Sequence, residues 1–279
     1  MYILLADFFV ENGINGGSEL NNHEFSSILS SNGENIDKIN TFATNLDFLK
    51  TNSDKKFIVA NFVNLPKQCK DYMTENLDYV IYEHDHKYLE SRDPSAYEDY
   101  ICPEEKLINL DFYKSAKGVF CQSSLHKNIL EKNIKSDNIH NLSGNLWNLN
   151  ILKMMEKLSK IEKSELYSIM YSPNPIKNTN MCIKYCEHKK LPYRLIPHMP
   201  YVDFIKELSK NRGLVFFPNV VETLNRVCVE ARMMNCEVIT NRKVGATSEP
   251  WFELKGQELI EEVRSMRYRI PSQIIEPLL

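Results

Sequence analysis

The chain has 279 residues, is 43% hydrophobic and carries a formal charge of −3, enough apolar material for one large core or for two of about 100–150 residues each. That balance gives no whole-chain signature of a nucleic-acid-binding or membrane-surface protein. The seven cysteines are odd in number and scattered through apolar and amphipathic segments, so they read as reduced thiols of a cytoplasmic protein and not as a disulfide framework.

In chain order, MYILLADFFV lacks a basic leader and has Asp7 inside its apolar run, which makes it a first buried strand and not a signal peptide. Strands are predicted over 2–9, 56–62, 77–83, 118–122, 166–172, 192–196, 213–218 and 236–241, each short, rich in β-branched and aromatic residues and flanked by turn residues. Between them, stretches such as SELNNHEFSSILSS, SSLHKNILEKN, TNMCIKYCEHKK and YVDFIKELSKN repeat apolar residues three or four apart, as amphipathic helices do. Alternating strand and helix means an α/β protein with parallel sheets covered on both faces. No apolar run approaches the roughly 18–20 residues of a bilayer span, so stable membrane insertion is not expected. A long charged helix pattern over 149–165 separates two sets of strands. The expected organisation is therefore an N-terminal Rossmann-like domain over 1–155 and a C-terminal one over 156–279. The tail after Pro271 shows no period of its own; it either packs back on the first domain or frays.

Ligands of open α/β sheets lie beyond the carboxyl ends of the strands. The first such place, VENGINGGSEL, offers Gly16 and Gly17 ahead of a helix starting near Ser18, a setting for a phosphate or sugar, and equally an ordinary glycine loop capped by Ser18. It is not G-x-G-x-x-G, and no acidic residue ends a second strand at the usual distance, which argues against a nicotinamide dehydrogenase. The second, VIYEHDHKYLESRDPS, runs a strand into Glu83, His84, Asp85 and His86, groups that can position hydroxyls or move a proton, or form a solvated loop paired with Lys87 and Arg92. The third, SIMYSPNPIKN, carries Lys177, a point charge suited to a diphosphate or a plain surface lysine. The fourth, ETLNRVCVE, places Glu222 and Glu230 about two turns apart on one helix face, with backbone N–H groups at Thr223, Leu224 and Asn225 expected at the helix start. Cys182, Cys186 and His188 lack a second ligand pair and read as core and surface residues, so no metal site is expected.

PNVVETLNRVCVEARMMNCEVITNRKVG resembles the signature of the group 1 glycosyltransferases of GT-B fold, P-S-x-x-E-x-x-G-x-x-x-x-E-A-M-x-x-G-x-P-V-I, including glutamates seven residues apart. The Gly-Gly loop, the HDH segment, VFCQSSLHKNIL and the lysine loop follow in the family's order, so the resemblance covers nearly the whole chain and suggests a short, phage-like member. It implies two Rossmann-like domains with parallel sheets facing across a crevice. It also implies that Glu230 holds the ribose of a nucleotide, that Glu222 contacts the donor sugar, and that Lys177 with the backbone of Thr223, Leu224 and Asn225 receives the diphosphate. Gly16 and Gly17 join the donor site. Glu19 and Glu83 fall to the acceptor, and His84, Asp85 and His86 join Glu222 in catalysis. Asn225 replaces a usual glycine, Asn235 and Cys236 replace later small positions, and an arginine common before the lysine is absent.

The implied activity is transfer of a hexose or pentose from a nucleotide-diphosphate donor to an acceptor hydroxyl, with retention and without metal or cofactor. The acceptor is a surface glycan or a hydroxymethylated pyrimidine of phage DNA. The alternative is a nucleotide-sugar-binding protein that has lost turnover.

Overall fold

A computed structural model describes residues 1–14 and 16–279; Asn15, within the glycine loop, lies outside the described residues. The chain divides into two compact units, 1–147 with 266–279, and 148–265.

The first unit holds strands β1 (Tyr2–Ala6), β2 (Ile36–Asn40), β3 (Lys56–Val59), β4 (Tyr79–Tyr82), β5 (Val119–Cys121) and β6 (Ile139–Asn141). They form one parallel sheet in the order β2-β1-β3-β4-β5-β6. Its helices are α1 (Gly17–Ser31), α2 (Leu46–Thr51), α3 (Lys67–Asn76), α4 (Leu110–Ser115) and α5 (Ser124–Ile134). Every side chain of β1 and β4 is buried, as inner strands of a sheet covered on both faces require. IDKIN and IHN, β2 and β6, were not among the predicted strands: both are edge strands with polar, half-exposed residues, and the second is three residues long.

The second unit opens with α6 (Leu149–Leu158) and holds β7 (Ser164–Met170), α7 (Thr179–Lys189), β8 (Tyr193–Ile196), α8 (Tyr201–Ser209), β9 (Asn211–Phe216), α9 (Arg226–Met233) and β10 (Glu237–Thr240). Its parallel sheet runs β10-β9-β7-β8. Helix α10 (Gly256–Ile275) begins in this unit and ends in the first.

The boundary thus falls at Trp147/Asn148 and not at 155/156. Helix α6 belongs to the second unit because it packs on α9, and the amide of Asn235 donates to the carbonyl of Ser159 at 3.0 Å. The tail is likewise helical through Pro271, with Met266, Ile270, Ile274 and Leu278 buried at four-residue spacing in the first unit. Its arginines fasten it there: Arg267 donates to Glu24 and to the Trp147 carbonyl, and Arg269 donates to the Leu142 carbonyl. Among the described residues no helix is long and apolar enough to cross a membrane.

Candidate functional site

Each sheet reverses its strand order once, between β1 and β3 in the first unit and between β7 and β9 in the second. The crevice outside the carboxyl ends of the strands at such a reversal is where open α/β sheets bind ligands.

In the second unit, Lys177 follows β7 and Glu222 follows β9, and the two meet across this reversal with Nζ 2.7 Å from Oε1. Both side chains remain partly exposed. The two loops are laced together: Asn219 N–H donates to the Ile176 carbonyl at 3.0 Å, its amide donates to the Pro175 carbonyl at 2.7 Å, and Asn178 donates to the Phe217 carbonyl at 3.0 Å. Glu222 is held by its backbone as well, donating to the Lys243 carbonyl and accepting from Gly245 N–H, each at 2.8 Å.

Helix α9 begins at Arg226, so the expected helix-end donors at Thr223, Leu224 and Asn225 precede the helix instead. Asn225 is its cap, accepting from Cys228 N–H at 2.9 Å while adopting φ +71°. Asparagine tolerates the left-handed region where other side-chain-bearing residues are strained. Asn235 does the same at φ +63°. The two asparagines standing at glycine positions of the signature thus both occupy left-handed backbone.

Glu230 is 1% exposed. Its Oε1 accepts from the Tyr201 hydroxyl at 2.7 Å and lies 3.7 Å from Arg226 Nε. Burial, then the charge of Glu230, push the Tyr201 phenol well above its ordinary range, so it stays a neutral donor. Tyr201 and Arg226 carried no sequence signal: the first begins an ordinary amphipathic helix and the second stands at a variable position of the signature. Cys182 and Cys186 pack with Tyr167, Ile169 and Val215 in the core of this unit. Among the described residues no three His, Cys, Asp or Glu side chains are grouped to hold a metal.

In the first unit a pocket of about 380 Å³ opens at the reversal, bounded by residues that follow β1, β3 and β4, among them Phe8, Asn61, Val63, His84 and Asp85, and by Glu19 from α1. Gly16 caps α1 beside this pocket, with Glu19 Oε2 2.4 Å from where a Cβ would stand, so a larger residue there would displace the Glu19 carboxylate. Gly17 is the first residue of α1. The floor is tied by Asp7, whose carboxylate accepts from Val63 N–H at 2.9 Å, from Asn64 N–H at 3.0 Å and from the Thr41 hydroxyl. At the sequence level Asp7 was visible only as a break in an apolar run.

The EHDH segment splits between wall and interior. Asp85 lines the pocket and pairs with Arg92 at 3.1 Å. His84 stands in the wall with both ring nitrogens engaged: Nδ1 accepts from the Gln122 amide, so Nε2–H donates to Asn22 Oδ1 at 2.8 Å. Glu83 and His86 do not reach the pocket, contrary to the acceptor and catalytic roles expected of them. Glu83 is fully buried between Lys87 and the Tyr113 hydroxyl, with its carboxyl pushed up by burial. His86 is 1% exposed, and burial, then Lys87, hold its imidazole down to about 3. Both lie beyond the end of β4 at Tyr82, outside regular strand, so the two-residue alternation of a strand does not decide which of the four side chains go inward.

No family model matches the chain, and no curated protein matches it. Solved structures do. Over 100% of this chain and 96% of the other it is similar to HepE from Anabaena, solved in complex with UDP and glucose, at 12% identity and a TM-score of 0.56. It is similar to WaaG, a glycosyltransferase involved in lipopolysaccharide biosynthesis, over 100% and 93% of the two chains, at 11% identity and a TM-score of 0.55. The catalytic domain of starch synthase IV from Arabidopsis thaliana, bound to ADP and acarbose, aligns over 99% and 94%, at 9% identity and a TM-score of 0.57. With two parallel-stranded Rossmann-like units spanned end to end by these structures, the fold of this chain is the GT-B glycosyltransferase fold.

Proposed function

We propose that the chain is a retaining glycosyltransferase that moves a sugar from a nucleotide-diphosphate donor to an acceptor hydroxyl. The observation that carries this reading is the Lys177–Glu222 pair at the strand-order reversal of the second unit, with Glu230 buried eight positions further on. In this scheme Glu230, held by Tyr201 and Arg226, accepts the ribose hydroxyls, and Glu222 meets the donor sugar. Lys177 and the first amides of α9, at Arg226 and Val227, offset charge on the leaving diphosphate. The bond from the anomeric carbon to the diphosphate oxygen breaks, and one to the acceptor oxygen forms on the same face. The acceptor proton leaves with the diphosphate or passes to a neighbouring base.

HepE and the starch synthase domain were solved with UDP and with ADP; a nucleoside diphosphate of that kind fits a cationic loop beside a buried carboxylate. The donor is assigned to the second unit and the acceptor to the first. No metal step is included, since Lys177 supplies the positive charge.

Calorimetry against a panel of nucleoside diphosphates tests the assignment. Glu230→Gln keeps a partner for Tyr201 and is expected to weaken binding roughly 10–100-fold, the loss of a charge-assisted contact. Lys177→Ala is expected to cut turnover with little change in melting temperature, because a partly exposed side chain leaves no cavity. Unchanged nucleotide affinity in Glu230→Gln would refute the donor site, and EDTA inactivation reversed by a divalent ion would refute the metal-free scheme. Nucleotide binding without transfer or donor hydrolysis would establish the binding-only alternative.

A further inference from the structure

Beside the pocket of the first unit the surface is unusually apolar. Phe8, Phe42 and Val63, which follow the three strands at one edge of the sheet, are 38%, 60% and 52% exposed. The Phe8 and Phe42 rings lie 6.3 Å apart, tilted by 48°. Phe8 and Val63 also line the pocket, so one wall is apolar. The polar lining is mostly carboxylates and amides, Asp7, Glu19 and Asp85 with Asn61 and Asn64, joined by the Ser18 hydroxyl and the His84 ring. Its one cation among the described residues is Arg92, already paired with Asp85.

We infer that this pocket takes a neutral carbohydrate as acceptor, with an apolar C–H face on Phe8 and Val63 and its hydroxyls on Asp85, Glu19 and Asn61. A sugar ring presents those two surfaces together: axial hydrogens that prefer an aromatic or aliphatic wall, and hydroxyl donors that carboxylate and amide oxygens accept. A cavity of about 380 Å³ is of the size that encloses a small ligand. A nucleic-acid acceptor would bring phosphates to a wall where carboxylates outnumber the single, paired arginine, whereas phosphate contacts need free Lys or Arg. The exposed phenylalanines by themselves would also stack a base; the sign of the charge beside them decides for the sugar. The word acceptor rests on the transferase reading, but carbohydrate binding here does not.

The test is saturation-transfer NMR on the full chain with methyl α-glucoside, methyl β-galactoside, methyl β-N-acetylglucosaminide and a 5-hydroxymethyluracil oligonucleotide. UDP binding is followed in the same samples. Expected is transfer to ring C–H protons of at least one glycoside, reduced roughly threefold or more in Phe8→Ala and in Asp85→Asn. Circular dichroism of both variants should match the parent, since both positions are partly exposed. The inference is overturned by the absence of transfer to every glycoside, by transfer unchanged in both variants, or by oligonucleotide binding that weakens as salt rises. UDP binding with no glycoside signal sinks this inference alone. Glycoside binding with no affinity for any nucleotide sinks the transferase reading and leaves a carbohydrate site.

Discussion

His86 sits inside the first unit with neither ring nitrogen hydrogen-bonded among the described residues, edge-on to His126 with ring centroids 5.0 Å apart and to Tyr88 at 5.8 Å. Burial, then Lys87, lower its titration from the ordinary imidazole value of 6.5 to about 3; burial, then His86, lower that of His126. The unfolded chain therefore binds these protons first as pH falls. Stability from the neutral imidazoles is complete above about pH 6.5 and is lost as pH falls toward 3, at up to about 1.4 kcal/mol per pH unit for each proton taken up. Urea midpoints measured from pH 7 to pH 4 should fall more steeply for the parent than for His86→Leu, which has nothing to protonate. Parallel slopes would show that the ring is not held neutral in the folded protein. The histidine pair of EHDH looked alike in sequence and separated in space: two residues apart on a strand they would share a face, but both lie beyond the end of β4, where His84 lines the pocket and His86 is buried.

Helix α9 shows how a local departure from a signature can preserve its geometry. At Asn225 the backbone has φ +71° and the side chain caps Cys228 N–H. Asn225→Gly keeps the backbone freedom and loses the cap, so a change of only a few tenths of a kcal/mol is expected. Asn225→Ala loses the cap and meets left-handed strain, for a loss of about 1–3 kcal/mol. Chemical denaturation of the two variants checks this, and equal losses would mean that the cap and not the backbone fixes the residue. The two strands that sequence patterning missed share a cause. β2 and β6 are sheet edges with one neighbouring strand each, so they need not be apolar on both faces. The helix through Pro271 was hidden because proline normally ends a helix; here buried Ile270, Ile274 and Leu278 hold it despite the lost N–H.

At the scale of the whole molecule, the chain crosses into the second unit at Asn148 and returns at Met266. Four buried apolar side chains and two arginines bind the returning segment. Truncation after Ser265 is expected to cost the first unit several kcal/mol, at about 1.5–3 kcal/mol per buried aliphatic residue. Hydrogen exchange should then show protection lost in β1, β3 and β4 and kept in β7 and β9. Uniform protection across both units would contradict the division.

Sequence by itself determined the alternation of strand and helix, eight of the ten strands among the described residues, and the spacing of Glu222 and Glu230, because apolar periodicity and short motifs are local properties of the chain. Only the tertiary structure decided that Lys177 reaches Glu222, that Glu230 leans on Tyr201, and that Glu83 and His86 go inward while Asp85 faces a pocket beside Phe8. Those contacts join residues far apart in the chain, and they exist only once strand order is fixed, since the order of strands, and not their sequence, determines which loops become neighbours.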